Sequence, residues 1–212
     1  MSFETVVIDY GAGNLHSIER ALERAGLSPR VVADPREVSG PGLLVLPGQG
    51  HFGQVARAFR ASGFEDLVRR HIAAGRPFLG ICVGLQLLLR GSEEAPDEPG
   101  LGIVEGWARR FPAGLGSVPQ MGWNQLTPRG ASPLLEGVAP GAYVYFANSY
   151  YADLTGHGPA LNGATTEYAG VTFLSAMSLG NVHATQFHPE KSQAVGLRIL
   201  ANLAPIVQQA AA

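Results

Sequence analysis

Cys82 is the only cysteine in the chain, and it stands between two glycines in Gly80-Ile81-Cys82-Val83-Gly84. A thiolate is a strong nucleophile, and Gly-x-nucleophile-x-Gly is the spacing of a nucleophile elbow, a tight strand-to-helix turn. The glycines are needed because side chains would clash with so strained a backbone. A second grouping, His188-Pro189-Glu190, could complete the chemistry. A cysteine nucleophile needs an imidazole to take and return its proton. The imidazole needs a carboxylate to fix its tautomer and stabilise its charged form. Each has a plainer reading when taken alone. Free cysteines are commonly buried and inert, and an isolated His-x-Glu is commonly a loop histidine beside a surface glutamate. The elements that carry these residues must therefore decide.

Short, continuous apolar runs end in glycine or turn residues at Thr5 to Asp9, Leu43 to Pro47 and Pro77 to Cys82. Runs of this kind predict strands buried on both faces, as in a parallel sheet. Helical patterns lie between them. Leu15, Ile18, Leu22 and Ala25 share one face, with Gly26 placed to end the helix. Leu67, Ile72 and Ala73 mark another, closed by Gly75 and Pro77. Leu85 to Leu89 continues from Cys82 as a helix, so the cysteine is expected at a helix N-terminus, where the dipole favours a thiolate. The second half predicts shorter strands at Gly102 to Val104, Tyr143 to Phe146, Ala164 to Tyr168 and Thr172 to Met177. A last strand, Val182 to Phe187, leads into His188, and Ala194 to Val207 reads as a closing helix. The expected fold is α/β: a doubly wound, largely parallel sheet flanked by helices, with additional antiparallel strands, in one domain over residues 1–212. In that fold Cys82 and His188 both follow strands at the same carboxyl edge of the sheet.

Composition narrows the partners. At 46% hydrophobic and 15% charged residues the balance is that of a soluble globular protein. A formal net charge of −2 steers the chain toward neither nucleic acid nor an anionic membrane. Met1 to Thr5 has no basic n-region, and Val6 to Ile8 is cut short by Asp9, so the start reads as a strand and not a signal peptide. No apolar stretch approaches the length of a bilayer span. One cysteine forms no internal disulfide, which fits a reducing cytosol. No second His or Cys lies at ligand spacing, so neither a metal nor another cofactor is expected. His16, His51, His71, His157 and His183 are scattered and read as surface or packing residues. The acidic run between Gly91 and Gly100 reads as a solvated loop, and the terminal alanines are expected to fray.

Three further stretches bear on function. In Pro47-Gly48-Gln49-Gly50-His51, two glycines after a strand would let backbone N–H groups approach a ligand closely. In a thiol hydrolase that suits an oxyanion hole built from Gly48, Gln49 and Gly50, with the N–H of Val83 as second donor. An ordinary strand-to-helix turn fits the same residues. Gly11-Ala12-Gly13-Asn14-Leu15-His16, with Asp34 beyond it, invites a dinucleotide fingerprint. His16 at the third glycine position argues for a plain tight turn instead. Pro119 to Asn124 and Tyr145 to Tyr151 are aromatic-rich, as core, strand edge and interface all are.

Gly80 to Gln86 and Phe187 to Ser192 together resemble the class I, or triad, glutamine amidotransferases. Asp9-Tyr10-Gly11-Ala12-Gly13-Asn14 and Met121-Gly122-Trp123-Asn124 narrow the resemblance to the glutaminase subunits of imidazole glycerol phosphate synthases, over nearly the whole chain. The resemblance implies Cys82, His188 and Glu190 as the triad of a glutaminase that makes glutamate and ammonia through a thioester. It implies Gln86, Ser149 and Tyr150 as glutamine-binding residues, and Asn14, Trp123, Tyr145 and Lys191 near a partner interface. The implied partner is a (β/α)8-barrel cyclase subunit, joined as a cytoplasmic heterodimer in histidine biosynthesis. Three positions depart from the family's pattern: Gln49, Gln120 and Asn148. None belongs to the triad. A glutaminase serving another synthase, a γ-glutamyl peptidase and a binding module without turnover remain as alternatives.

Overall fold

The computed structural model describes residues 4–40, 42–153 and 161–210; His157 and the last two alanines lie outside them. The chain opens with β1 (Thr5–Ile8), crosses through α1 (Leu15–Arg24) to β2 (Pro29–Val32), and returns as β3 (Leu43–Gly48). Helices α2 (Phe52–Ala61) and α3 (Phe64–Ala73) lead to β4 (Phe78–Cys82), and α4 (Val83–Leu88) follows with no intervening loop. Next come β5 (Gly91–Ser92), β6 (Trp107–Arg110), β7 (Gln120–Gln125), β8 (Thr127–Arg129), β9 (Tyr143–Asn148) and β10 (Tyr150–Ala152). The chain ends with β11 (Asn162–Tyr168), β12 (Val171–Leu179), β13 (Val182–Thr185), α5 (Gln193–Ala201) and α6 (Leu203–Ala210).

The main sheet runs β2-β1-β3-β4-β13-β12-β10-β6-β5, with β11 and β8 branching from β12. The first five strands are mutually parallel, and β12 then turns the sheet antiparallel. The expected α/β architecture with added antiparallel strands is what forms. Every residue of β1, β3 and β4 is buried, which is why those strands read as unbroken apolar runs. One core cluster extends from Val6 to Val207. Phe52, Phe59, Phe64, Phe78, Phe146, Phe173 and Phe187 are fully buried in it, each contributing about 1.5–3 kcal/mol. The placement that matters most is that of β13. Last in sequence among the strands, it inserts beside β4 with Thr185 opposite Ile81. The residues just beyond both strands therefore emerge at one carboxyl edge, where open α/β sheets hold their ligands. No helix among the described residues is long and apolar enough to cross a membrane.

Three expectations are corrected. Gly102 to Val104 is not a strand: its backbone N–H groups, with that of Leu101, donate to the carbonyls of Leu87, Leu88 and Leu89. It satisfies the end of α4 instead of pairing in a sheet. The closing helix is two helices, because Asn202 separates α5 from α6. Pro205 explains the break: in a continuous helix its ring would meet the carbonyl four residues back. Asn202 uses its side chain to donate to the carbonyls of Leu134 and Glu136. The acidic run is no free loop. Glu93 accepts from Arg109 and the N–H of Arg110, Glu98 pairs with Arg57 and Arg60, and Glu94 accepts from the N–H of Phe52 at 2.6 Å. Charge composition cannot tell a solvated run from one pinned by arginines distant in sequence.

His183 is a packing histidine, as expected, but an uncomfortable one. Its Nδ1 lies 2.9 Å from Ser178 Oγ, and its buried Nε2 has no partner among the described residues. Burial lowers its pKa from 6.5 to about 4. Between those values the unfolded chain binds a proton that the folded chain refuses, so stability falls as pH drops through the window. Urea unfolding near pH 7 and near pH 4 should show His183→Gln losing less stability on acidification than wild type, by on the order of 3 kcal/mol.

Candidate active site

The expected glycine-flanked strand-to-helix turn forms, and the backbone at Cys82 is strained. Its φ of 55° and ψ of −109° are values a side-chain-bearing residue rarely adopts, at a cost of about 1–3 kcal/mol. Three glycines make the turn possible by letting backbone meet backbone. A Cβ on Gly84 would collide with the Leu46 carbonyl oxygen, one on Gly80 would lie 2.7 Å from the Gly84 oxygen, and one on Gly48 would lie 2.5 Å from the Gly84 nitrogen. The first turn of α4 thus rests directly on β3, with Gly48 opposite Cys82 in the parallel ladder.

His188 is held from both sides. Its Nδ1 lies 2.8 Å from Glu190 Oε1 within the turn 189–191. Its backbone N–H donates to the Tyr145 carbonyl at 2.9 Å, and its carbonyl accepts from Ser192 Oγ at 2.7 Å. Ser192 Oγ in turn accepts from the Tyr145 N–H, closing a ring that locks the histidine to β9. Cys82 and His188 are buried, and so is the Glu190 side chain. Burial works against an imidazolium here. Hydrogen bonds to Cys82 and Glu190, together with their charges, outweigh it and raise the His188 pKa. The second oxygen of Glu190 is buried without a hydrogen-bond partner among the described residues, so His188 is its counterion.

The sulfur faces a cavity of about 290 Å³. Gln49, Gly50 and Val83 line it, as do Gln86, Ser149 and Tyr150, so the expected oxyanion and substrate residues converge there. Gly48 lies beneath it, in the sheet. Gly50, with φ of 109°, needs glycine for conformation alone. Both hydrogens of Gln86 Nε2 are engaged, by the Tyr150 carbonyl and by Gln186 Oε1, each at 3.1 Å. Only its oxygen is left for a ligand. A larger concavity of about 420 Å³, lined by Leu126, Pro133, Leu135 and Val138, holds neither cysteine nor histidine. Chemistry and not size marks the site. Among the described residues no cluster of three His, Cys, Asp or Glu could hold a metal.

Several residues at this site escaped sequence reasoning. Glu94, the one acidic side chain lining the cavity, was hidden in the acidic run. Tyr10 donates to the Pro47 carbonyl at 2.7 Å. Burial, with the charges of Cys82 and Asp9, pushes its pKa up, which keeps the phenol a donor beneath the 48–50 strand. Gln186 donates to Cys82 Sγ at 3.6 Å. A polar residue directly after the buried strand β13, two places before His188, was the available signal. Asn148, noted only as a departure, lines the cavity and donates to the Tyr150 carbonyl at 3.0 Å.

The four residues expected at an interface divide three to one. Trp123 and Tyr145 pack edge to face at 6.0 Å on the β7–β9 ribbon, and Lys191 Nζ lies 5.9 Å from the Tyr145 ring centre. Trp123 is 45% exposed there, beside Met121 at 68% and Tyr143 at 53%. Asn14 instead caps α1, accepting from the Ser17 N–H at 3.4 Å, and α1 packs against the turn that carries Lys191.

The family described as glutamine amidotransferase class-I matches residues 6–204. The chain belongs to that family and is a glutamine amidotransferase. Among its relatives, the imidazole glycerol phosphate synthase subunit HisH of Deinococcus radiodurans is 56% identical over 94% of this chain and 92% of the relative. A protein of the same name from Thermus thermophilus is 53% identical, over 95% and 96% respectively. Solved structures agree on the fold. A glutamine amidotransferase crystal structure superposes with a TM-score of 0.73 at 22% identity, covering 98% of this chain and 99% of the other. The structure of PurLQS from Thermotoga maritima reaches 0.75 at 18% identity, covering 99% of both chains.

Gly84→Ala should force α4 off β3, since its Cβ meets fixed backbone. Chemical denaturation should show about 1–3 kcal/mol of destabilisation, and labelling of Cys82 by a glutamine-analogue electrophile should fall sharply.

Proposed function

We propose that this chain is the glutaminase subunit of an imidazole glycerol phosphate synthase, acting as one domain in a cytoplasmic heterodimer with a (β/α)8-barrel cyclase. The observation that carries the chemistry is a buried His188 held at 2.8 Å by Glu190, its imidazolium favoured by Glu190 and by the strained Cys82 that opens onto the cavity. Relatives above 50% identity that bear the name of that subunit support the particular synthase.

In this reading glutamine enters with its side-chain amide against Cys82. The thiolate attacks the carbonyl carbon, and the oxyanion is received by backbone donors of the Gly48-Gln49-Gly50 strand and by the Val83 N–H. As the C–N bond breaks, the His188 imidazolium gives its proton to the leaving nitrogen, and ammonia departs. The thioester remains. Neutral His188 then takes a proton from water, the hydroxide oxygen adds to the thioester carbonyl, and glutamate leaves as the thiolate reforms. Gln86 Oε1 accepts from a substrate N–H, Ser149 and Tyr150 supply the wall, and Glu94 faces the substrate's ammonium group. These steps use the chain's own side chains and call on no metal or other cofactor.

Ammonia released into bulk water would protonate and lose its nucleophilicity, so a covered route to a second site is required. The exposed Met121, Trp123 and Tyr143, with the half-buried Lys191 beside them, support docking of the cyclase there, with Asn14 at its margin. Large aromatics with a cation beside them are the usual anchors of such interfaces.

Glutamate release, assayed with and without the cyclase and its phosphoribulosyl-formimino carboxamide nucleotide ligand, tests the reading. Partner and nucleotide together should stimulate it, and Cys82→Ala should abolish it; release surviving that substitution would remove Cys82 from the mechanism. Glu190→Gln should lower kcat by about 10²–10⁴-fold, because the imidazole loses its orienting charge. Trp123→Ala should weaken association with the cyclase about tenfold or more by titration calorimetry, while leaving the secondary structure unchanged.

A further inference from the structure

We propose that Gln186 is a further catalytic residue, whose side-chain amide donates to Cys82 Sγ and holds the sulfur in its charged, attacking state. The proposal rests on the reading of Cys82 as nucleophile. Gln186 Nε2 lies 3.6 Å from Sγ, an N–H···S hydrogen-bond distance, and the residue is wholly inaccessible at 0% exposure.

The direction of that bond is forced by what lies behind it. The Tyr150 carbonyl can only accept, so Gln86 must turn Nε2 toward it, at 3.1 Å. Asn148 Nδ2 donates to the same carbonyl at 3.0 Å. The other hydrogen of Gln86 Nε2 goes to Gln186 Oε1, at 3.1 Å. With its oxygen claimed, Gln186 can present only its N–H to the sulfur. The polarity of one backbone carbonyl in the substrate wall is thereby relayed to the nucleophile. The main chain of Gln186 is fixed as well, since its N–H donates to the Ser175 carbonyl at 2.8 Å.

A buried donor aimed at sulfur favours the charged form of the sulfur over the thiol. A neutral amide does this without competing for the proton of His188, which a lysine or arginine at the same place would disturb. The bond is strongest when sulfur carries charge: before attack on the amide, and again as the thioester C–S bond breaks. In the thioester the sulfur is neutral and the interaction weakens. Gln186 therefore assists departure of the thiolate in the second half-reaction, with no proton changing hands at its own nitrogen.

Because Cys82 is the only cysteine, alkylation of the full chain by iodoacetamide, followed by intact mass across pH, reports on that sulfur alone. Gln186→Glu keeps the chain length and the acceptor for Gln86 but replaces the donor with a negative charge. It should displace the alkylation profile upward by about one pH unit or more. In the complex with the cyclase it should lower kcat for glutamate release about tenfold or more, with KM for glutamine changed less than about threefold. Gln186→Met should shift the profile in the same direction by less. A folded Gln186→Glu with the wild-type profile would reduce Gln186 to a packing residue and overturn the proposal. If that variant does not fold, Gln86→Met decides: it unpins the Gln186 amide and should also raise the profile, and an unchanged profile overturns the proposal. Glutamate release by Cys82→Ala would sink the nucleophile reading itself, whatever the Gln186 variants do.

Discussion

The contact between the first turn of α4 and the backbone of β3 governs this molecule. It exists because Gly48, Gly80 and Gly84 leave no Cβ between main chains that would otherwise collide. That contact presses Cys82 into a positive φ and turns its sulfur out of the sheet plane into the cavity. The strain persists because surrounding structure over-determines it: β3 and β13 flank β4 on both sides, and the segment after α4 caps the helix end. A floppier sheet would relax the turn and lose the direction of the Cys82 side chain.

Around that turn the polar groups are arranged so that each has one possible role. Glu190 has His188 as its hydrogen-bond partner, so the imidazole is held in one orientation. Ser192 ties the His188 carbonyl to the Tyr145 N–H, which joins His188 to the ribbon bearing the exposed aromatics. Tyr145 thus both faces Trp123 and Lys191 and is bound to His188 through its backbone. A displacement of the ribbon would move His188 with it. On the opposite wall the amides of Asn148, Gln86 and Gln186 connect the Tyr150 carbonyl in the cavity wall to the sulfur, and none of them titrates.

Much of this was legible in the sequence for a physical reason. Strands buried on both faces must be continuously apolar, so β1, β3 and β4 stood out, and a helix with one buried face shows its period, so α1 did too. The elbow was legible because only glycine tolerates its close approaches. Other parts were not legible. Gly102 to Val104 looked like a strand because its residues are apolar, yet its hydrogen bonds go to the end of a helix. Glu94 looked like solvated charge, yet it accepts from Phe52, 42 residues away in sequence. Asn14, read beside Trp123 and Tyr145, has its side chain engaged in capping α1.

By itself the sequence determined the local chemistry: a cysteine in a turn that only glycines allow, a histidine beside a carboxylate two residues on, and the apolar runs that must be interior strands. Those are short-range properties, set by sterics and by what a buried backbone tolerates. Tertiary structure alone decided that β13 inserts beside β4, which brings His188 to a sulfur 106 positions earlier. It alone decided that Gln186 meets that sulfur and that Glu94 reaches the cavity wall. Such meetings depend on strand order and register, and strand order is chosen by the packing of the whole sheet against its helices. No pattern within one segment records it.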